Sequence, residues 1–258
     1  MSILNKIKPS TVISSPSFVV TVILLSPNAS LFFEKSKPSL IEYSIKLALS
    51  CKEIDKVIVT TDDEEIAEIS KNAGAEVPFI RPENLAQDDT PTLPALRHAI
   101  NFLEEKEEIY DNIILLEPTA PLRTKELIQK TIKKIKEDNV ETVVSTVPYN
   151  IDFSDILKKD ESDYLHPFLD VETTIRRQDT KNIHLMDASI YAVKRDILMD
   201  ENLIMLNPYK ENPNLKTKTV LSNPKLSCEI DDEEQWEYAE YLYKKYKNII
   251  EKGEEEND

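Results

Sequence analysis

Apolar runs alternate with amphipathic stretches along almost the whole chain, and this alternation constrains the fold more than any other feature. FVVTVILL (18–25), KVIVT (56–60), AEVPFI (75–80), NIILL (112–116), ETVVSTV (141–147) and ASIYAV (188–193) read as strands. Runs this continuously apolar suit strands covered on both faces. Between them, helical spacing of apolar residues predicts helices over 40–49, 92–103, 124–136 and 232–252. A further helix, EEIAEISKNAG, starts after Asp62 and Asp63, which stand where an N-cap belongs, and stops at Gly74. Strand, helix, strand, helix in one chain implies an α/β domain with a mostly parallel sheet and helices on both faces.

The span 18–252 is expected to be one domain, preceded by a loose polar arm (1–17) and followed by an acidic tail (253–258). Residues 149–180 are polar and irregular, an insertion and not a core element. The eight-residue run FVVTVILL is far shorter than the roughly 20 residues a bilayer demands, so a buried first strand accounts for it, and no membrane partner is expected. Cys51 and Cys228 form neither a disulfide framework nor a metal-ligand spacing, which makes the reducing cytoplasm the default setting.

The chain holds only two glycines, Gly74 and Gly253, where average usage would give about 18. Neither sits in a Gly-rich loop, so the dinucleotide fingerprint and the P-loop are both excluded. The net charge of −16 excludes nucleic acid as a partner. It also repels nucleotides at long range, so a nucleotide site here must rely on local Lys or Arg side chains or on a bridging Mg²⁺.

In sheets of this kind ligands bind at the carboxyl ends of the strands. Polar segments follow the strands at 60–92, LLEPTAPLRT (115–124), IRRQD (175–179), DASIYA (187–192) and SCEIDDEE (227–234). For Asp62 and Asp63, capping is a sufficient reading, with metal binding the alternative. Arg81 and Arg123 read as ligand contacts, with surface salt-bridge partners the alternative. His98 reads as helix packing, and His184 lies near the site with no evident partner. Trp236 and the tyrosines of EYAEYLYKKY read as core or interface.

The segments VIVTTDDEEIAEISKNAGAEVPFIRP, LLEPTAPLRT, RRQD, IYA and EID, in this order, resemble the acylneuraminate cytidylyltransferases, the CMP-sialic acid synthetase family. The resemblance runs from about residue 40 to about residue 240. It implies a Rossmann-like nucleotidyltransferase domain that transfers CMP from CTP to a sialic-acid-like sugar acid, with Mg²⁺, releasing pyrophosphate. It places Arg81 and Thr92 at the nucleotide. Glu117, Pro118, Thr119 and Arg123 fall on the sugar side, with Arg177, Gln178 and Asp187 also at the sugar acid. Glu229 and Asp231 match a metal-binding pair, and 149–180 matches a dimerisation element, so a homodimer is expected.

This chain also departs from the family pattern. The stretch SPNASLFFEKSKPS (26–39) stands where the family has a longer loop rich in glycine, with Arg, Lys and Asn; only Lys35 and Lys37 offer positive charge there, and they are the candidate catalytic residues for reaching the phosphates. Glu117 stands for a glutamine, Leu185 for an arginine, Asp187 for a frequent asparagine and Glu229 for an aspartate. The alternative expectation is therefore a catalytically impaired relative that serves as a binding or regulatory partner.

Overall fold

NIILL is buried at every position because it lies at the centre of the sheet. In the computed structural model this run is β3 (Asn112–Leu116); the residues described are 18–23 (backbone), 39–87, 90–149, 156–168, 183–208 and 212–252. The other strands are β1 (Phe18–Ile23), β2 (Lys56–Thr60), β4 (Thr142–Pro148), β5 (Leu157–Lys159), β6 (Leu165–Pro167), β7 (His184–Lys194) and β8 (Thr217–Leu221). The helices are α1 (Leu40–Leu49), α2 (Glu64–Asn72), α3 (Thr92–Glu105), α4 (Lys125–Ile135), α5 (Arg195–Leu198) and α6 (Glu233–Lys252).

The main sheet runs in the order β2-β1-β3-β7-β4-β8. β1 pairs parallel with β2 and β3, β4 pairs parallel with β8, and β7 is antiparallel to both its neighbours. All strands but β7 therefore point the same way, a mostly parallel sheet with one reversed member. Alternate β3 side chains face opposite layers. Ile114 and Leu116 pack with Ile41 and Ile45 of α1 and Ile128 and Ile132 of α4. Ile113 and Leu115 pack with Leu96, Ile100 and Leu103 of α3. Helices thus cover both faces, which is why the run needs no polar alternation.

The helix boundaries follow from capping chemistry. Ser39 N donates to Glu42 Oε2 at 2.8 Å before α1. Ile66 N donates to Asp63 Oδ1 at 2.9 Å at the start of α2, and Leu127 N donates to Thr124 Oγ1 at 3.2 Å at the start of α4. Gly74, at φ +101°, ends α2.

Three expectations change. The run 75–80 is no strand: Glu76 makes a single bridge to Ile58, and Pro78, which has no N–H, cannot extend the ladder. The edge strand β8 comes from a segment to which the sequence reading assigned no element. Within 149–180, residues 157–159 and 165–167 form an antiparallel hairpin instead of irregular chain, with every residue of both strands exposed. Among the described residues no helix is long and apolar enough to cross a membrane.

Because β7 runs backwards, its beginning lies at the same edge of the sheet as the ends of β3 and β4. That edge gathers the β3–α4 loop, Asp187 and the segment after β8.

Candidate functional site

The loop between β3 and α4, EPTAPLR, is held from within by Arg123. This side chain is buried, and Nε donates to Ala120 O at 3.0 Å. Nη2 donates to the carbonyl oxygens of Glu117 and Ala120. Arg123 is thus a loop staple and not a surface salt-bridge partner. Next to it, Glu117 is 7% exposed. Burial pushes its carboxyl up to about 8; the charge of Arg123 opposes this and that of Glu229 reinforces it. Glu117 is accordingly a neutral acid at pH 7, able to donate a hydrogen bond. Burial draws the Arg123 guanidinium down to about 10, against the attraction of Glu117 and Asp187, and it stays charged at neutral pH.

Asp187 is presented by an irregularity in β7. Val144 pairs with Tyr191 and Thr146 with Met186, so β7 spends extra residues against Ser145, with Ala188 at φ +53°. Ser145, itself buried, fixes this bulge: its Oγ donates to Asp187 Oδ1 and accepts from Ile190 N at 2.9 Å. Ser189 N also donates to Asp187 Oδ1, at 3.3 Å. Asp187 lines a small cavity together with Arg123, Ser189 and Ser222 and the apolar Leu122 and Leu226. Among the described residues, Arg123 Nη1 and Ser222 Oγ are buried without a hydrogen-bond partner.

The segment before α6 is tied to the same loop. Ile230 N donates to Thr119 O at 2.8 Å, and the Ile230 side chain is buried. Its neighbours Glu229 and Asp231 are left on the surface. Gln235 Oε1 accepts from Asp232 N at 3.1 Å while Asp232 Oδ1 accepts from Gln235 N at 2.8 Å, so Asp232 caps α6. Partial desolvation raises the Glu229 carboxyl, and the charges of Asp231 and Asp187 raise it further. Burial, together with Glu117, Glu229 and Asp187, pushes the Tyr191 hydroxyl up to about 12. Among the described residues no group of three or more His, Cys, Asp or Glu is arranged to hold a metal.

Glu117, Arg123, Asp187, Glu229 and Asp231 thus share one edge, with Thr119 joining them through its carbonyl. Arg81 stands apart, at the end of β2 beyond β1. Its guanidinium is buried, and Nη2 lies 2.6 Å from Asp62 Oδ1. Thr92 is the half-buried first residue of α3. Lys35, Lys37, Arg177 and Gln178 lie outside the described residues.

Asp63 caps α2 as expected, but Asp62 does not cap; it pairs with Arg81. The His98 ring packs edge-on against Phe79 at 4.6 Å, in keeping with a packing role. His184 does have a partner, Thr146 Oγ1 at 3.2 Å from Nδ1. Trp236 is buried in a cluster with Leu122 and Ile230, whereas Tyr238 and Tyr241 stack on each other at the surface. Sequence reading missed Ser145 and Ser222. The signal for Ser145 was a lone serine inside a buried valine-rich strand, which needs a polar partner.

A family model described as cytidylyltransferase matches residues 35–255. The pseudaminic acid cytidylyltransferase of Campylobacter jejuni (strain 81-176) is 28% identical over 207 residues, covering 80% of this chain and 85% of that protein. The CMP-N,N'-diacetyllegionaminic acid synthase of Legionella pneumophila is 25% identical over 204 residues, covering 79% of this chain and 84% of that one. Among solved structures, CMP:2-keto-3-deoxy-manno-octonic acid synthetase in complex with CTP is similar in fold, with a TM-score of 0.58 at 15% identity, covering 89% and 99% of the two chains.

Proposed function

Since this chain belongs to the cytidylyltransferase family, we propose that it transfers CMP from CTP to a nine-carbon, sialic-acid-like sugar acid. In that reaction the sugar's anomeric hydroxyl loses its proton to solvent as its oxygen bonds to the α-phosphorus, the bond from that phosphorus to the oxygen bridging to the β-phosphate breaks, and pyrophosphate leaves. The observation that carries the reading is the convergence of Glu117, Arg123, Asp187 and Glu229 at the carboxyl edge of the sheet, where ligands of such folds bind.

Such chemistry depends on positioning and charge neutralisation more than on covalent help from the protein. The EPTAPLR loop supplies a rigid wall on the sugar side, since its own arginine holds its carbonyls in place. Neutral Glu117 offers a donor and an acceptor, as an amide would. Asp187 and Thr119 complete that wall, and Arg81 and Thr92 belong to the nucleotide side. Lys35 and Lys37 are the candidates to meet the phosphates, and Arg177 and Gln178 match the family's polar residues over the sugar acid.

Glu229 and Asp231 are the residues that would hold Mg²⁺. The donor set fits, because this ion binds through one or two carboxylates and completes its shell with phosphate oxygens and water. When bound it neutralises the charge developing on the phosphates. The exposed hairpin carries Tyr164, Leu165 and Phe168, apolar surface that a second copy would cover, in line with a homodimer. We place the protein in the cytoplasm, where CTP is available.

The test is pyrophosphate release from CTP and Mg²⁺ with N-acetylneuraminic, pseudaminic and legionaminic acids offered separately. Release with one of them is expected. No release with any of the three, in protein shown to be folded, would overturn the proposal.

A further inference from the structure

Resting on the reading of a CTP site, we infer that Asp62 is a positioning residue for the nucleotide, acting through Arg81 and touching neither nucleotide nor metal. The geometry around it is fixed from both sides. Thr61 O accepts from Arg81 N at 2.8 Å. Thr61 Oγ1 accepts from Asp63 N at 3.1 Å, and Asp63 is committed to capping α2 through Ile66 N. The backbone of Asp62 is therefore clamped between two anchored neighbours, at the carboxyl end of β2.

Its side chain is half in water, 43% exposed, whereas that of Arg81 is 3% exposed. The 2.6 Å contact between Asp62 Oδ1 and Arg81 Nη2 thus reaches from the surface onto an almost wholly buried cation. A guanidinium has five N–H donors in a rigid plane, so fixing one terminal nitrogen fixes the direction of the others. Among the described residues, Arg81 Nε is buried and lacks a partner. A desolvated charged donor left without an acceptor is costly, and each such group calls for a partner that the described residues do not supply. An acceptor-rich ligand, a base carbonyl or a phosphate oxygen of CTP, is what that donor would take. Asp62 holds the plane ready, so that binding does not have to pay for ordering a long side chain.

The experiment follows the Arg81 side-chain Nε–H signal in ¹H–¹⁵N spectra while CTP and Mg²⁺ are titrated into the wild type, Asp62→Asn and Asp62→Ala, with dissociation constants read from the same titrations. Thermal melts and pyrophosphate release are recorded on the same samples. In the wild type CTP is expected to move the Arg81 signal. Asp62→Ala is expected to weaken CTP binding by about tenfold or more, the loss of one charge-assisted hydrogen bond. Asp62→Asn, which keeps an accepting oxygen, falls between the two, and the Mg²⁺ requirement stays as in the wild type. An unmoved Arg81 signal, or equal CTP affinity in Asp62→Ala and wild type, overturns the inference. An altered Mg²⁺ requirement in Asp62→Asn overturns it too, in favour of metal ligation. CTP binding with no pyrophosphate release from any sugar acid would instead sink the proposed transfer and leave the Asp62 result standing.

Discussion

Glu117 offers the sharpest quantitative test of the site. An unfolded glutamate titrates near 4.3 to 4.5, whereas burial lifts the folded carboxyl to about 8. Between these values the folded chain keeps a proton that the unfolded chain has released. Stability therefore falls as pH rises through this window, by about 1.4 kcal/mol per unit, and no longer changes with this group above about pH 8. The whole span of about 3.5 units amounts to about 5 kcal/mol, an upper bound because relaxation and water entry reduce it. Glu117→Gln keeps the size and hydrogen-bonding shape without a proton to lose. The variant should match the wild type near pH 5 and be more stable by several kcal/mol near pH 8.5, a rise in melting temperature of roughly 10 °C. Urea unfolding of both proteins across this range, with chelator present, measures the difference. The raised Glu229 carboxyl is present in both proteins and largely cancels. A stability difference that is flat from about pH 5 to about pH 9 would refute the claim that Glu117 is held neutral by burial.

Other outcomes follow from single contacts. Gly74→Ala should cost about 1–3 kcal/mol in urea unfolding, because φ is +101° and a Cβ would sit 2.9 Å from Leu49 Cδ1. Ser145→Ala removes the hydroxyl that Ile190 N–H donates to and leaves Asp187 held by Ser189 N alone; a stability loss of about 1–3 kcal/mol and a raised KM for the sugar acid, with KM for CTP little changed, are expected. Glu229→Gln and Asp231→Asn should each raise the Mg²⁺ concentration for half-maximal pyrophosphate release about tenfold. Neither change should lower the melting temperature of the metal-free protein, since each removes like-charge repulsion.

The central layers were legible because their cause is local. β2 and β3 are apolar runs buried on both faces, and Asp63, Thr124 and Gly74 mark helix ends by capping chemistry that needs no tertiary partner. β8 was not legible: it pairs on one side only, and its residues are largely exposed or half-buried, so TKTVL carries little apolar signal. The run 75–80 misled in the opposite direction, since Ala75, Val77 and Phe79 pack into the core while Pro78 stops the pairing beyond the single bridge at Glu76. At the site, the β3–α4 loop could be read from its motif, but the roles inside it could not. That Arg123 spends its donors on its own loop, and that Ser145 aims Asp187 from 42 residues away, depends on register between strands distant in sequence. Asp62 and Asp63 show the same limit at close range, two identical neighbours with different partners.

The charge balance at this edge decides how a nucleotide can bind there at all. Partial desolvation raises the cost of ionising Glu229, the charges of Asp231 and Asp187 add to it, and Arg123 is the nearby cation. Arg123 is already committed to backbone carbonyls, and burial weakens its charged form. Arg81 shares its charge with Asp62. A triphosphate brought to this edge therefore meets more negative charge than positive within the described residues, on a chain whose net charge is −16. Holding Glu117 neutral removes one of those repulsions, which gives its burial a chemical purpose: ionised, it would stand against an acidic sugar as well as a triphosphate. A cation held by Glu229 and Asp231 would relieve the remaining repulsion between them. Nucleotide affinity should accordingly rise steeply with Mg²⁺, and the first carboxylate to lose its raised proton affinity when the metal binds should be Glu229.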